Sequence, residues 1–204
     1  MKKLLSSIAA IGLLAAVSAN ATIVTNGSFE VGTVGTSVTN SGVGSNSSLT
    51  GWRLYNQVAT VTNIATLVSG GTEGSQAVQL TTIAGAGGGN QSGIDNLGIL
   101  TPVSPGQIST FAVDVKRIAG GALTDFRFII FQYDAGGVLQ GTTSVITPYA
   151  GVTTDYQTIS TNLTLSAATT KVRFSLRMIP VGAAGATATL ELDNVRVFRW
   201  AHWS

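Results

Sequence analysis

The chain of 204 residues has no cysteine, a single histidine, 4 prolines and only 10% charged side chains, and each scarcity removes a class of explanation. Without cysteine, no disulfide closes the fold, and at this length one hydrophobic core can suffice without one. The lone histidine, His202, lies in the C-terminal tail, so neither a Ser-His-Asp arrangement in a core nor a histidine metal cluster is available. The Gly-rich GAGGGN at 85–90 lacks the Lys-Ser/Thr ending of a phosphate loop and precedes no helical pattern. The 9 acidic residues offer carboxylate pairs, but the sequence marks none with one raised and one ordinary pKa, as glycoside hydrolysis needs. The expectation is a protein that is not an enzyme.

Charge excess is missing as well. With Lys2 and Lys3 set aside as part of a leader, the 11 basic residues fall to the number of the 9 acidic ones. A chain with no net charge has no basic stripe to gather phosphates, which argues against nucleic acid as a partner. It also resists self-association only weakly.

What the sequence does contain begins with MKKLLSSIAAIGLLAAVSANA. Two lysines, an apolar run from Leu4 to about Val17 and small residues Ala19 and Ala21 are the three parts of a cleaved secretory signal, so residues 1–21 are expected to be removed and the protein secreted. The apolar run is shorter than the roughly 20 residues needed to cross a bilayer, and no other candidate transmembrane segment follows.

From Thr22 onward Thr, Ser, Val, Gly and Ala dominate, and no stretch holds apolar residues at 3.6-residue spacing. QISTFAVDVKR and KVRFSLRMI alternate as strands with one buried face, the second with Val172, Phe174, Leu176 and Met178 inward. DFRFIIFQYD is apolar on both faces, with Phe126, Phe128 and Ile130 on one and Arg127, Ile129, Phe131 and Tyr133 on the other, which predicts a central strand. Asp134–Gly137 supplies a turn, and VLQGTTSVI is its hairpin partner. WRLYNQ, ATVTNIATLV, SQAVQL, YQTISTNLTL and TATLELDNVRVFRW are further strands, with a weaker one near GIDNLGIL. Residues 31–50, poor in large side chains, are expected to form a surface loop. Many short strands without a crossover helix predict one all-β domain over 22–204, an antiparallel β-sandwich of the jelly-roll type.

In order along the chain stand NGSFE, the GW of Gly51 and Trp52, GSQAVQL, SPGQ, FRFIIFQYDAGG and LELDNVRV. With these motifs the chain resembles the secreted carbohydrate-binding modules of families four, nine and twenty-two, within the galactose-binding-like jelly rolls, and related bacterial domains that open NGSFE and continue to GW. The resemblance implies a structural calcium ion (Ca²⁺) between the first and last strands. By motif it would be held by backbone oxygen at Ser28, the side chain of Glu30, backbone oxygens around Glu73 and Gln76, and the carboxylate of Asp193. Such a mixture of carboxylates and carbonyls suits Ca²⁺, and a cation there would tie both ends of a cysteine-free chain to one core. The bland alternative is that Glu30 ends a strand in solvent and Asp193 caps a turn. Phe29 and Trp52 are expected in the core, Phe29 by strand alternation beside Val24.

The partner the resemblance implies is a polysaccharide or surface glycan. Sugar recognition needs an aromatic face for ring C–H groups and planar polar groups for hydroxyls. Arg127 and Tyr133 share one face of their strand, as Arg173 and Arg177 do of theirs, so these four are the candidate ligand residues if the strands are neighbours. The competing reading pairs the arginines with Asp114, Asp125 or Asp155. Tyr55, Tyr149 and Tyr156 are aromatic candidates without a fixed place. A second functional reading is a subunit of an extracellular fibre, sheath or matrix, self-associating through strand edges; Trp200 and Trp203 of FRWAHWS either extend the last strand or form an adhesive patch.

Overall fold

A computed structural model describes residues 20–22, 24–44, 48–85, 90–96, 100–120, 123–181 and 183–199. All but the last two residues of the expected leader lie outside the described residues, as do Trp200, His202 and Trp203.

In chain order the strands are β1 (Asn20–Thr22), β2 (Ser37–Asn40), β3 (Ser48–Leu49), β4 (Trp52–Asn56), β5 (Thr62–Ser69), β6 (Gln76–Ile83) and β7 (Ser92–Asp95). They continue with β8 (Thr101–Pro102), β9 (Ile108–Gly120), β10 (Leu123–Tyr133), β11 (Leu139–Pro148), β12 (Gln157–Thr164), β13 (Lys171–Pro180) and β14 (Thr187–Arg199). One 3-10 turn, Tyr149–Gly151, is the helical element among the described residues. The first sheet runs β12-β9-β14-β6-β5-β2 with β1 on β14, and the second runs β11-β10-β13-β7-β4-β3 with β8 on β13. Every pairing is antiparallel, as expected for hairpin-linked strands.

The alternation read from the sequence decides which side of each sheet is core. Phe111, Val113 and Val115 of β9 meet Phe126, Phe128 and Ile130 of β10 and Phe174 and Leu176 of β13 in one buried cluster. Phe128 and Phe174 stack at 5.9 Å, and Phe111 tilts against Phe174 at 6.1 Å. β10 lies between β11 and β13; its second apolar face turns away from this core, as a two-faced strand requires.

Two local expectations are corrected. Residues 31–50 hold β2 and β3 as well as loop: Asn40 is buried, with its amide donating to the Gly44 carbonyl at 2.8 Å, and Leu49 enters the core. Its small residues suit short sheet-end strands, a signal too weak to separate from a loop. Phe29 is buried as expected, but by a turn and not by strand alternation: Gly27 N–H donates to Val24 O, Phe29 N–H donates to Asn26 O, and Phe29 has φ +56°.

Candidate functional site

The corner expected to hold calcium forms because the first turn, the β5–β6 turn and β14 meet there. Asp193 is fully buried. Its Oδ2 accepts the N–H groups of Thr72 (2.5 Å) and Glu73 (2.8 Å) and the Thr72 hydroxyl (3.0 Å), while Oδ1 accepts the Asn194 N–H at 2.7 Å. From the other end of the chain, Glu30 Oε1 accepts the N–H groups of Ser75 (2.9 Å) and Gln76 (2.7 Å), and Oε2 accepts the Ser75 hydroxyl at 3.0 Å. Gly74 makes this approach possible: its φ is +77°, and a Cβ there would lie 2.5 Å from the Glu30 carboxyl carbon.

Glu30 and Asp193 therefore do converge on one turn, with Ser28 in the turn beside Glu30, but the chemistry differs from the expectation. Ca²⁺ requires six to eight oxygens with lone pairs free for it. Here most of the carboxylate acceptor sites are taken by N–H and O–H donors, Asp193 Oδ1 and Glu30 Oε2 accepting one donor each, and Glu73 offers its N–H. Among the described residues no group of three His, Cys, Asp or Glu side chains converges. In this arrangement the backbone donors of 72–76 supply at the two carboxylates the positive end that a cation would. The acidic neighbour of Asp193 is Asp114, directly across from it on β9 and bound to Arg196 at 2.9 Å.

The environments set opposite titration shifts. Desolvation pushes the Asp193 carboxyl above its ordinary value despite the donors of Glu73, Thr72 and Asn194. At Asp114 desolvation also acts upward, but the hydroxyls of Thr158 and Thr72 and the Arg196 guanidinium outweigh it and leave the group lowered. At Glu30 desolvation is likewise outweighed, by Gln76 and Ser75. The expected outcome of a chelator experiment follows from the donor set: melting in excess EDTA matches melting in excess CaCl₂. An ion bound at a hundred times its Kd would add about 2.7 kcal/mol, or roughly 5–10 °C at this size, so a shift of that order on adding calcium would restore the ion.

The outward face of the second sheet is the other candidate. Register places Ile146, Arg127, Arg177, Gly93 and Tyr55 in one row across β11, β10, β13, β7 and β4. The next row holds Ser144, Ile129, Ser175, Asp95 and Arg53, and beyond it Phe131 faces Arg173 and Tyr133 faces Lys171. All four expected residues, Arg127, Tyr133, Arg173 and Arg177, thus share this face.

Their engagements divide them. Arg127 grips Asp125 through Nε at 2.8 Å and a second nitrogen at 3.3 Å, the pairing foreseen as the competing reading. Arg177 is buried, binds both oxygens of Asp95 at 2.8 and 3.1 Å, donates to Ser175 Oγ, and lies 3.4 Å from the centroid of the Tyr55 ring. Arg173 lies over Phe131 at 4.4 Å and near Tyr133 at 5.6 Å, stacked and not ion-paired. Tyr149 and Tyr156 belong elsewhere: Tyr149 donates to the Ala119 carbonyl at 2.8 Å and Tyr156 to Glu191 at 2.7 Å. Arg53, Asp95 and Phe131 were not singled out as site residues, although the alternation of WRLYN puts Arg53 and Tyr55 opposite the core residues Trp52 and Leu54. Asp95 lay in the weakest strand signal.

No family model matches the chain, and no curated protein matches it. Among solved structures, one reported for the promiscuous specificity of carbohydrate-binding modules of the β-sandwich superfamily matches at TM-score 0.54 and 16% identity, over 76% of this chain and 61% of that one. A cyclase from Fischerella sp. matches at TM-score 0.57 and 15% identity, over 91% of this chain and 99% of that one. The two-module N-terminal endo-1,4-beta-D-xylanase 10B of Clostridium thermocellum, complexed with xylohexaose, matches at TM-score 0.50 and 14% identity, and the chain spans 26% of it. Binding modules and a cyclase share this architecture, so the likeness speaks for fold and not for activity. The chain has the antiparallel β-sandwich fold of the carbohydrate-binding modules of that superfamily.

Proposed function

We propose that the protein is an exported, non-catalytic carbohydrate-binding module that holds a glycan on the outward face of its second sheet. The observation that carries this reading is the convergence there of Tyr55, Phe131 and Tyr133 with Arg53, Arg127, Arg173 and Arg177. Planar guanidinium groups suit vicinal hydroxyls, and Tyr133, whose ring lies farther from a guanidinium (5.6 Å) than Phe131 (4.4 Å) or Tyr55 (3.4 Å), offers the face for sugar C–H groups. The fold likeness to carbohydrate-binding modules supports the same reading. Asp95 and Asp125, the acids of this face, are each held by an arginine, which favours binding over acid-base chemistry. The carboxylate clasp of Glu30 and Asp193 fixes the corner.

Affinity electrophoresis against a glycan panel tests the proposal. The expected result is retardation by at least one polymer, weakened roughly tenfold by Tyr133→Ala, in line with the loss of one aromatic contact. Retardation by none would overturn it. A second reading, self-association, is favoured by one feature: β11, LQGTTSVITP, is a ten-residue edge strand without a charge, pairs among the described residues with β10 alone, and exposes Leu139 and Ile146. On the same gel, laddering without any polymer would favour that reading.

A further inference from the structure

We propose that the glycan taken by this face is anionic, carrying carboxylate or sulfate groups, and that Arg53 and Arg173 read its charge. The inference rests on the glycan-binding reading and adds the ligand's chemical class.

The net charge of the chain conceals a segregation. All nine acidic residues lie among the described residues. The outward face of the second sheet carries Asp95 and Asp125, each consumed by its own arginine. Asp134, at the end of this sheet, is occupied in its own turn by Val138 N–H and Gln140. The outward face of the first sheet holds Asp114, Glu191 and Asp193. Among the described residues Arg53 and Arg173 are left without a carboxylate. Arg53 stands directly across from Asp95, yet that carboxylate is turned to Arg177.

Both unpaired arginines also carry a buried Nε that has no hydrogen-bond partner among the described residues. A desolvated guanidinium donor left unpaired is costly, and an anionic oxygen is the partner that satisfies it best. The rings of the face point the same way. Arg173 covers Phe131 and Arg177 covers Tyr55, so guanidinium groups overlie rings that would otherwise serve as bare platforms for a neutral sugar. Strand spacing and rise put the Cα atoms of Arg53 and Arg173 about 12 Å apart, and Arg173 leans over β10, away from β4, so the two arginines are placed to meet separate anionic groups along one chain of several sugar units.

The test is affinity electrophoresis of the whole protein with matched polymer pairs: polygalacturonate against its methyl ester, and dextran sulfate against dextran. The expected result is retardation by an anionic member and not by its neutral partner, weakening as NaCl rises from about 50 to about 300 mM. Arg53→Gln and Arg173→Gln each reduce apparent affinity roughly tenfold or more. Arg173→Lys, keeping charge but losing the planar fork, falls between, and Arg117→Gln on the other sheet leaves it unchanged. Retardation by polygalacturonate alone assigns the carboxylate, by dextran sulfate alone the sulfate. Equal retardation by neutral polymers, with both glutamine variants unaffected, overturns the anionic ligand and leaves glycan binding standing. An equal loss in Arg117→Gln reduces the effect to general charge and overturns the inference, and retardation by no polymer removes both readings.

Discussion

Arg177→Ala is expected to destabilise the protein by about 3–5 kcal/mol, because it leaves a buried carboxylate without its counter-charge. Arg177 and Asp95 are 5% and 3% exposed, too little for water to take the guanidinium's place. The substitution also uncovers Tyr55, from whose ring the guanidinium lies 3.4 Å, and removes the donor to Ser175 Oγ. At this chain size the loss corresponds to roughly 6–20 °C in melting temperature. A paired replacement, Arg177→Met with Asp95→Asn, removes both charges and is expected to recover most of it, since a buried ion pair adds little over a neutral pair of similar volume. Urea melts of the two variants check this. An Arg177→Ala protein that melts with the wild type would mean that the pair is hydrated and the face open to its base. The result bears on function, because Arg177 would then act on a glycan by holding Tyr55 and the sheet surface in place, while Arg173 and Arg53 do the reading.

Much of this is legible in the amino-acid sequence, and the limits have physical causes. Period-two alternation fixes which side of a strand is core, so Val172, Phe174, Leu176 and Met178 were assigned inward from KVRFSLRMI alone and are all fully buried. The same rule put Arg127 and Tyr133 on one face and Arg173 and Arg177 on another, but it is silent on which strands are neighbours. The β10–β13 register, which sets Arg127 opposite Arg177 and Phe131 opposite Arg173, is a product of the whole packing. Which arginine finds an acid was open for the same reason: Asp125 is two residues from Arg127, whereas Asp95 reaches Arg177 from a strand far away in sequence. At the corner, motif order foretold that Glu30 and Asp193 would converge. It did not foretell that the 72–76 turn would present N–H groups to them, because that depends on the φ of Gly74 and the close backbone approach it allows.

Trp52→Ala carries the other large expected effect, about 3–5 kcal/mol from the cavity alone. Trp52 is 1% exposed; its ring centroid lies 5.3 Å from that of Phe29 and its indole N–H donates to the Asn26 carbonyl at 2.9 Å. The NGSFE and GW motifs are thus one physical unit. Trp52 belongs to the second sheet, while the same turn is tied to the first, where Gly27 O accepts the Val195 N–H at 2.8 Å and Glu30 grips the β5–β6 turn. Trp52→Phe keeps an aromatic ring against Phe29 and removes one of the two donors to the Asn26 carbonyl, which retains the Phe29 N–H, for an expected cost of about 0.5–1.5 kcal/mol from the lost hydrogen bond. Because the two rings touch, Phe29→Ala combined with Trp52→Ala is expected to cost less than the two separate losses added together. Chemical denaturation of the four proteins of that cycle measures the coupling. Strict additivity, or a Trp52→Ala loss below about 1 kcal/mol against the usual range for a buried tryptophan, would show that the first turn and β4 hold the two sheets independently of one another.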